Sequence, residues 1–513
     1  MSGCRPTRAV IVCTSSSRSV NTSYSFSAVG IKKCLPCAAT VCAWQRGLRL
    51  PALIREGRLG VVTLNEKLAD WVAALKLDDV PDETVQLASW RVLDMVGAMM
   101  AGRDTALVDH LCKAYPGDPT GVPVVGLAGN RAPEDAALLM ATMGGVLEFD
   151  DSHVATGIHP STPVVATALA LGALHRIDGR RLIEAVLVGV ELACRLGLAA
   201  PGVFHHHGLH PTAMVAAFGC TYAAAKIVEA TPIETANAIG IAGSMAAGIM
   251  ASWEDGADAK SMHAGLAARG ALHALHLARH GVTGPASVYE GRFGFFRSHI
   301  QANPFDLNAI ADGLGDQWEI VNIASRPFPC GHYIQPYIDA ALELQRREKV
   351  PLDKIAAIEC PMPSYMIPLV CEPRDEKLRP KTPWHARYSL PHCIAEALTT
   401  GGLDKNSFDT AALADGRFAA LAASVGGVVA ESDELRTQWS GEVRFALRDG
   451  SILRHRIDHL RGTPQNPMTE ADIVEKFCRN VEGVLEPEAV DHVVESLLLL
   501  SHCSDVTALL DTL

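Results

Sequence analysis

The sequence predicts a mainly α protein: a large all-helical domain built from both ends of the chain body, with a smaller α+β domain inserted between them. Three observations carry this. Segments with helical periodicity, rich in Ala, Gly and Leu, succeed one another from about residue 63 to residue 279. Alternating, strand-like segments occur only in the stretch between about 354 and 457. Helical patterns then return from 469 to 499.

The first helix starts at a capping box, Thr63 with Glu66, followed at helical spacing by Leu64, Leu68, Trp71, Val72 and Leu75. Pro81 opens the second, in which Val85, Ala88, Val92, Leu93 and Val96 make one apolar stripe. Further helices are expected over 133–147, 162–175, 180–197, 211–228, 232–252 and 261–279, their small residues permitting close contact. The stretch Ala236 to Trp253 is the nearest approach to a membrane span. Gly, Ala and Ser dominate it and Glu254-Asp255 ends it, which reads as a buried helix and not a transmembrane one.

The character changes near residue 320. Lys354 to Cys360 is β-like. Val443, Phe445 and Leu447 alternate on one face, and Asp449-Gly450 makes a hairpin turn into Ser451–Ile457. Helical segments at 333–348 and 391–400 complete an α+β unit. After Gly462-Thr463-Pro464, helices at 469–483 and 486–499 are expected to dock back on the first domain. The resulting division is 1–60, 61–321, 322–463 and 464–513.

Residues 1–55 hold eight Lys or Arg, no Asp or Glu, and five of the fourteen cysteines. This is the composition of a disordered extension or of a mitochondrial presequence. Cys34-Leu35-Pro36-Cys37 has no second pair at zinc-finger spacing. The remaining cysteines sit singly in apolar segments and read as reduced, buried thiols of an intracellular protein, cytoplasmic unless the leader directs it to mitochondria. The net charge of -12 argues against a general nucleic-acid binder, so an anionic ligand would need a local basic pocket.

One segment stands out chemically. Glu148-Phe149-Asp150-Asp151-Ser152-His153 is followed by His159-Pro160-Ser161, gathering carboxylates, imidazoles and hydroxyls between two apolar helices. Acid–base chemistry needs one His oriented by a carboxylate, whereas the spacing matches no metal motif. A metal hydrolase using Asp150, Asp151 and His153 therefore ranks last, and no metal is expected. Lys260, entering an Ala-rich helix, could hold a substrate carboxylate, although dipole logic disfavours a cation there and a solvated lysine is the plainer reading. His273, His276 and His280 read as a half-exposed stripe. His205-His206-His207 reads as a rim loop, with His210 near a helix start. The turn from Arg326 to His332 carries a cation and an imidazole into the second domain, and Tyr365 and Arg387-Tyr388-Ser389 extend that wall. No G-x-G-x-x-G, P-loop, G-x-S-x-G or H-E-x-x-H motif occurs, which removes support for nucleotide, serine-hydrolase and zincin functions.

Further segments appear in a fixed order: Gly208-Leu209-His210-Pro211-Thr212 leading to Gly219, Lys260-Ser261-Met262-His263-Ala264-Gly265 with Ala267-Ala268-Arg269, Pro327-Phe328-Pro329-Cys330, Tyr365, Tyr388-Ser389-Leu390-Pro391, and Gly462-Thr463-Pro464-Gln465-Asn466-Pro467-Met468. With the acidic segment they resemble the MmgE/PrpD family over about residues 63–513. That family includes 2-methylcitrate dehydratase, cis-aconitate decarboxylase and iminodisuccinate epimerase. The resemblance implies a cofactor-free homodimer with its pocket between helical domain and α+β lid. It places Asp150 or Asp151, Ser152, His159, Lys260 and Tyr365 at or beside that pocket, and Arg326 at a basic lid position. The chain departs from the pattern in having Glu148 where Asp is usual, in a longer step from Asp151 to His159 than in the animal decarboxylase, and in Gly331, beside His332, where that enzyme has His.

These reactions build charge next to a carboxylate on a polyanion. Lys260 and Arg326 could neutralise it, His159 oriented by Asp150 or Asp151 could move the proton, and Tyr365 or Ser152 could assist a departing hydroxide. His210, His332 and Arg387 complete the expected substrate-binding set. The leading expectation is dehydration of a 2-methylcitrate-like tricarboxylic acid. Decarboxylation of cis-aconitate and epimerisation of a dicarboxylate are the alternatives, and a non-catalytic tricarboxylate binder is the alternative from another class.

Overall fold

The computed structural model describes residues 62–409, 413, 416–430 and 439–513. The leader and its CLPC sequence lie outside them. The protein is mainly α. Its principal helices in the first part are α1 (Leu64–Ala74), α2 (Asp82–Gly102), α3 (Pro133–Gly145), α4 (Ser161–His175), α5 (Gly179–Leu198), α6 (Pro211–Ile227), α7 (Pro232–Met245) and α8 (His263–Arg279). The middle part contributes α9 (Gln335–Glu348) and α10 (Leu390–Thr400), and the end of the chain α11 (Glu470–Val481) and α12 (Pro487–Leu498).

Local signals account for many helix ends. Thr63 and Glu66 form both bonds of the expected capping box, and Thr231 with Glu234 and Thr469 with Asp472 do the same for α7 and α11. Packing follows the small residues. Helix α6 lies against α5 and α8, α8 against α3, and α11 against α2. Where α5 meets α6, a Cβ on Gly189 would stand 2.9 Å from the Gly219 carbonyl oxygen, and one on Gly219 2.6 Å from that of Gly189. No larger residue permits that approach.

The strands are β1 (Val122–Val124), β2 (Leu127–Arg131), β3 (Ser152–His153), β4 (Ile323–Ala324), β5 (Ile355–Met362), β6 (Val425–Val429), β7 (Gly441–Leu447) and β8 (Ile452–Ile457). The last four form one sheet in the order β6-β5-β7-β8, parallel only between β5 and β6. The expected hairpin joins β7 to β8, with Gly450 at φ +89° and the Asp449 side chain accepting from the Ser451 amide. Strand β6, whose Val-Gly-Gly-Val-Val has no alternation, and the short β1 to β4, which lie outside the expected 354–457 stretch, escaped the sequence reading.

Buried apolar side chains fall into two principal clusters. One draws on residues 68 to 323 and again 468 to 510, so both ends of the body share it. The other is confined to 328–445. Lys476 on α11 extends this joining of chain ends to polar groups: it pairs with Asp94 on α2 at 2.7 Å and donates to the Phe149 carbonyl at 2.8 Å.

Two expectations need correction. The helix anticipated over 232–252 stops at Met245. The following backbone pairs instead with the 208–210 loop, through His210 N–H to Gly248 O (2.9 Å) and Met250 N–H to Gly208 O (2.8 Å). Ala, Gly and Met there carry a helix-compatible pattern, but these long-range bonds satisfy the backbone first. Among the described cysteines, all free, Cys112, Cys478 and Cys503 are half-exposed and not buried. No helix among the described residues is long and apolar enough to cross a membrane.

Candidate active site

The acidic segment is shaped by what flanks it. After α3 ends, Glu148 takes a left-handed conformation at φ 55°, unusual for a residue with a side chain. The chain then runs through Asp150 and Asp151 into β3, which pairs antiparallel with β4: Ser152 opposite Ala324, His153 opposite Ile323. This pairing brings Ser152 beside Arg326, two residues beyond Ala324. The chain reverses at Gly157 (φ 67°) and returns His159 to Ser152, where the His159 N–H donates to Thr212 Oγ1 at the start of α6 (3.0 Å). A second close approach fixes the other side. At Gly462, φ +97°, a Cβ would lie 2.0 Å from the Ser325 carbonyl oxygen, and Ser325 N–H donates to the Gly462 carbonyl at 3.1 Å.

Glu148 is the centre of the resulting cluster. Its carboxylate pairs with Lys260 Nζ on one side and with Arg326 Nη1 (3.1 Å) on the other. Arg326, 1% exposed, also donates to the Glu148 carbonyl (2.8 Å) and Ser152 Oγ (3.1 Å), reaches His159 Nδ1 at 2.8 Å, and lies 3.5 Å from Asp150 Oδ1. Lys260, held in the 3-10 turn Asp258–Met262, donates to the Tyr388 hydroxyl (3.3 Å). His159 Nδ1 is 2.8 Å from the Asp151 carbonyl and 3.0 Å from Ser152 Oγ. It cannot donate to that carbonyl and accept from Arg326 at once, so the neutral ring chooses between two tautomers.

Burial and charge set the protonation states. Burial pushes the Glu148 carboxyl up, but Lys260 and Arg326 outweigh it and hold the group well below the usual carboxylate range. Asp150 is lifted by burial to about 7, against the pull of Arg326. Asp151, behind the cluster, is raised by burial despite Arg91, 4.0 Å away, and the Ser161 amide at 3.3 Å. Burial, Arg326 and Lys260 keep His159 well below its ordinary value and therefore neutral. Burial and Lys260 depress His210 as well, and bring His263 and His205 to about 4. Burial and then Glu148 push the Tyr388 phenol up, so it stays protonated.

A cavity of about 300 Å³ opens on this cluster. His159, Lys260, Tyr388 and His210 line it, together with Met250, Trp253, Leu369, Tyr333 and His332. Three larger cavities, of about 510, 620 and 410 Å³, lack these paired cations, so chemistry and not size selects the site. Trp253 Nε1 is buried with no acceptor among the described residues. A bound carboxylate would supply one.

The expected site residues divide into three groups. His159, Lys260, His210 and His332 line the cavity, while Asp150, Ser152 and Arg326 lie in the polar cluster directly behind it. Asp151 is fully buried and serves Ser161 and His159 from the rear. Tyr365 does not line the cavity: it is 52% exposed and its ring sits edge-on to Tyr333, which does. Arg387, the last residue of the short helix Pro383–Arg387, lines the 620 Å³ cavity instead, and the following Tyr388 lines the 300 Å³ one. His153 bonds to Thr156 and Glu319 away from the cluster, and no described group of His, Cys, Asp and Glu is arranged to hold a metal ion. Sequence reasoning placed Glu148 in the acidic segment and Tyr388 in the second wall without a chemical role for either, and did not single out Trp253. The first two lay inside quoted motifs, but nothing local revealed which partners they would meet.

Two family models cover most of the described chain: the MmgE/PrpD N-terminal domain matches residues 66–308 and the MmgE/PrpD C-terminal domain residues 328–500. Among curated proteins, the chain is 28% identical to human cis-aconitate decarboxylase over 87% of its own length and 94% of that protein. It is 25% identical to a cis-aconitate decarboxylase-like protein of Aspergillus oryzae (86% and 96% covered) and 24% identical to the Aspergillus terreus cis-aconitate decarboxylase (87% and 95% covered). Both halves of the family pattern thus run through the residues that build the site, and the chain belongs to the MmgE/PrpD family.

Proposed function

We propose that the protein is a lyase acting on a small polycarboxylate, and that its reaction is decarboxylation of a cis-aconitate-like tricarboxylate. The observation that carries this is the mixed lining of the cavity: Lys260, with Arg326 behind His159, together with the apolar Met250, Trp253 and Leu369. Cations hold the retained carboxylates, and the apolar side chains desolvate the one that leaves, which favours neutral carbon dioxide over the anion. The carbon–carbon bond breaks, its electron pair enters the adjacent double bond as an allylic anion, and a proton is added at the far carbon. His159 is the proposed donor. A bound trianion reverses the field that keeps its ring neutral and raises its proton affinity. The relatives named above support this order of preference over the dehydration expected first.

Dehydration of a 2-methylcitrate-like acid is the second reading, favoured by the Tyr388 hydroxyl, which is placed beside Lys260 and could protonate a departing hydroxide. In both, residues 322–463 act as a lid over a helical body of 61–321 and 464–513, a division supported by the two apolar clusters.

The test is incubation of the full chain with cis-aconitate, 2-methylcitrate and substituted succinates, reading product mass and released carbon dioxide. Lys260→Met and His159→Ala are each expected to lower turnover by about 10²–10³-fold, the cost of a lost charge stabiliser or proton carrier. Near wild-type turnover in both variants would end the proposal.

A further inference from the structure

The 620 Å³ cavity shares a wall with the active site. Leu147, Ser261 and Arg387 line it, while their chain neighbours Glu148, Lys260 and Tyr388 belong to the cluster described above. Its chemistry is different. Arg387 is 6% exposed, its Nε is buried with no acceptor among the described residues, and its guanidinium stacks on Phe408 at 5.6 Å. Burial brings its pKa down to about 10, so the group remains a cation at neutral pH. Trp384 Nε1, in the same lining, is likewise buried with no acceptor among the described residues. A buried guanidinium with no ion-pair contact, favoured only through space by the Glu148 carboxylate, and a buried N–H without an acceptor are both unusual in a folded protein. Two such donors in one wall call for an anionic acceptor.

The rest of the lining narrows the choice. Met100, Leu107, Val146 and Leu147 supply apolar surface. Lys405 directs its ammonium to the backbone carbonyls of Asn480 (3.0 Å) and Glu482. Asp104, Asp258, Asp409 and Glu482 also border the space, so a second negative charge on a ligand would be repelled. A citrate-like polyanion fits poorly here and an apolar monoanion fits well.

We propose that this cavity is a second binding site, taking a monocarboxylate whose head is held by Arg387 and Trp384 and whose apolar body lies on Met100, Leu107, Val146 and Leu147. The site is separate from the reaction proposed above and stands whichever polycarboxylate is the substrate.

Isothermal titration calorimetry of the full chain with hexanoate tests it, malonate serving as competitor for the Lys260 cavity. Hexanoate is expected to bind wild type saturably at one site per chain, with saturating malonate leaving that isotherm unchanged. Arg387→Met should weaken binding by about tenfold or more, the value of a charge-assisted hydrogen bond, and Arg387→Lys and Trp384→Phe by less. Because Arg387→Met removes a buried unpaired charge, its thermal midpoint should equal or exceed that of wild type, and hexanoate should raise the midpoint of wild type alone. Absence of saturable binding to wild type, equal binding by Arg387→Met, or displacement by malonate would each overturn the proposal.

Discussion

Replacing Asp150 by Asn removes one titration from the cluster while keeping its shape, and the consequence can be worked through. The Asp150 carboxyl rises from its ordinary 3.8 to about 7 because burial penalises the charged form more than Arg326 favours it. A raised folded-state pKa means that the native protein holds this proton more tightly than the unfolded chain does. The stabilisation is fully present below about pH 4 and is lost as pH climbs through about 7. At about 1.4 kcal/mol per pKa unit, the shift amounts to about 4 kcal/mol over the whole window, and to about 3 kcal/mol between about pH 5 and about pH 8. Asn has no such proton to lose. With an unfolding entropy of about 2.1 cal/mol/K per residue over the described body, a midpoint moves about 1 °C per kcal/mol. Asp150→Asn should therefore gain about 3 °C on wild type between those two pH values, measured by thermal unfolding in matched buffers. Glu191, also lifted by burial to about 7, titrates equally in both proteins and cancels in the comparison. A wild-type-minus-variant difference that is flat with pH, or that changes with the opposite sign, would refute the assignment of a protonated Asp150.

Two further substitutions probe the same cluster from either side. Glu148→Gln leaves Lys260 and Arg326 buried without their shared counter-ion, at a cost of about 3–5 kcal/mol. Its thermal midpoint should fall by about 3–5 °C and recover partly in malonate, and an unchanged midpoint would show that another group neutralises these cations. Trp253→Phe keeps the ring packing against Trp384 and Tyr388, whose centroids lie 6.1 and 5.0 Å away, but removes the unpaired indole N–H. If that donor meets a substrate carboxylate, KM should rise about tenfold with kcat little altered. A drop confined to kcat would place the indole elsewhere in the scheme.

How much of this was legible in the sequence depended on how far each signal had to reach. The Thr63 capping box and the Asp449-Gly450 turn are completed within four residues, and the structure has both where the sequence put them. The break after Met245 was invisible because it is made by bonds to residues 208–210, roughly forty positions upstream, while its own residues still read as helical. The site shows the same gradient. The sequence marked 148–161 as chemically dense from composition alone, yet Glu148 acquires its role only by meeting Lys260, 112 residues on, and Arg326, 178 residues on.

Lys260 is the instructive case. Dipole reasoning about an isolated helix start gave a solvated lysine as the plain reading, and the structure buries the side chain to 7% exposure. The helix dipole disfavours the cation, as expected, but too weakly to decide its place. A helix-end dipole is worth well under about 2 kcal/mol, whereas breaking a buried ion pair costs about 3–5 kcal/mol. The distant Glu148 carboxylate therefore decides where the ammonium sits. The same ordering explains how a chain of net charge -12 can keep a cationic pocket. With Glu148 ionised and Asp150 protonated, Lys260 and Arg326 exceed the negative charge in immediate contact with them by one. That surplus is fixed by four side chains that folding brings together, and the charge of the remaining surface, screened by solvent and salt, has little say in it.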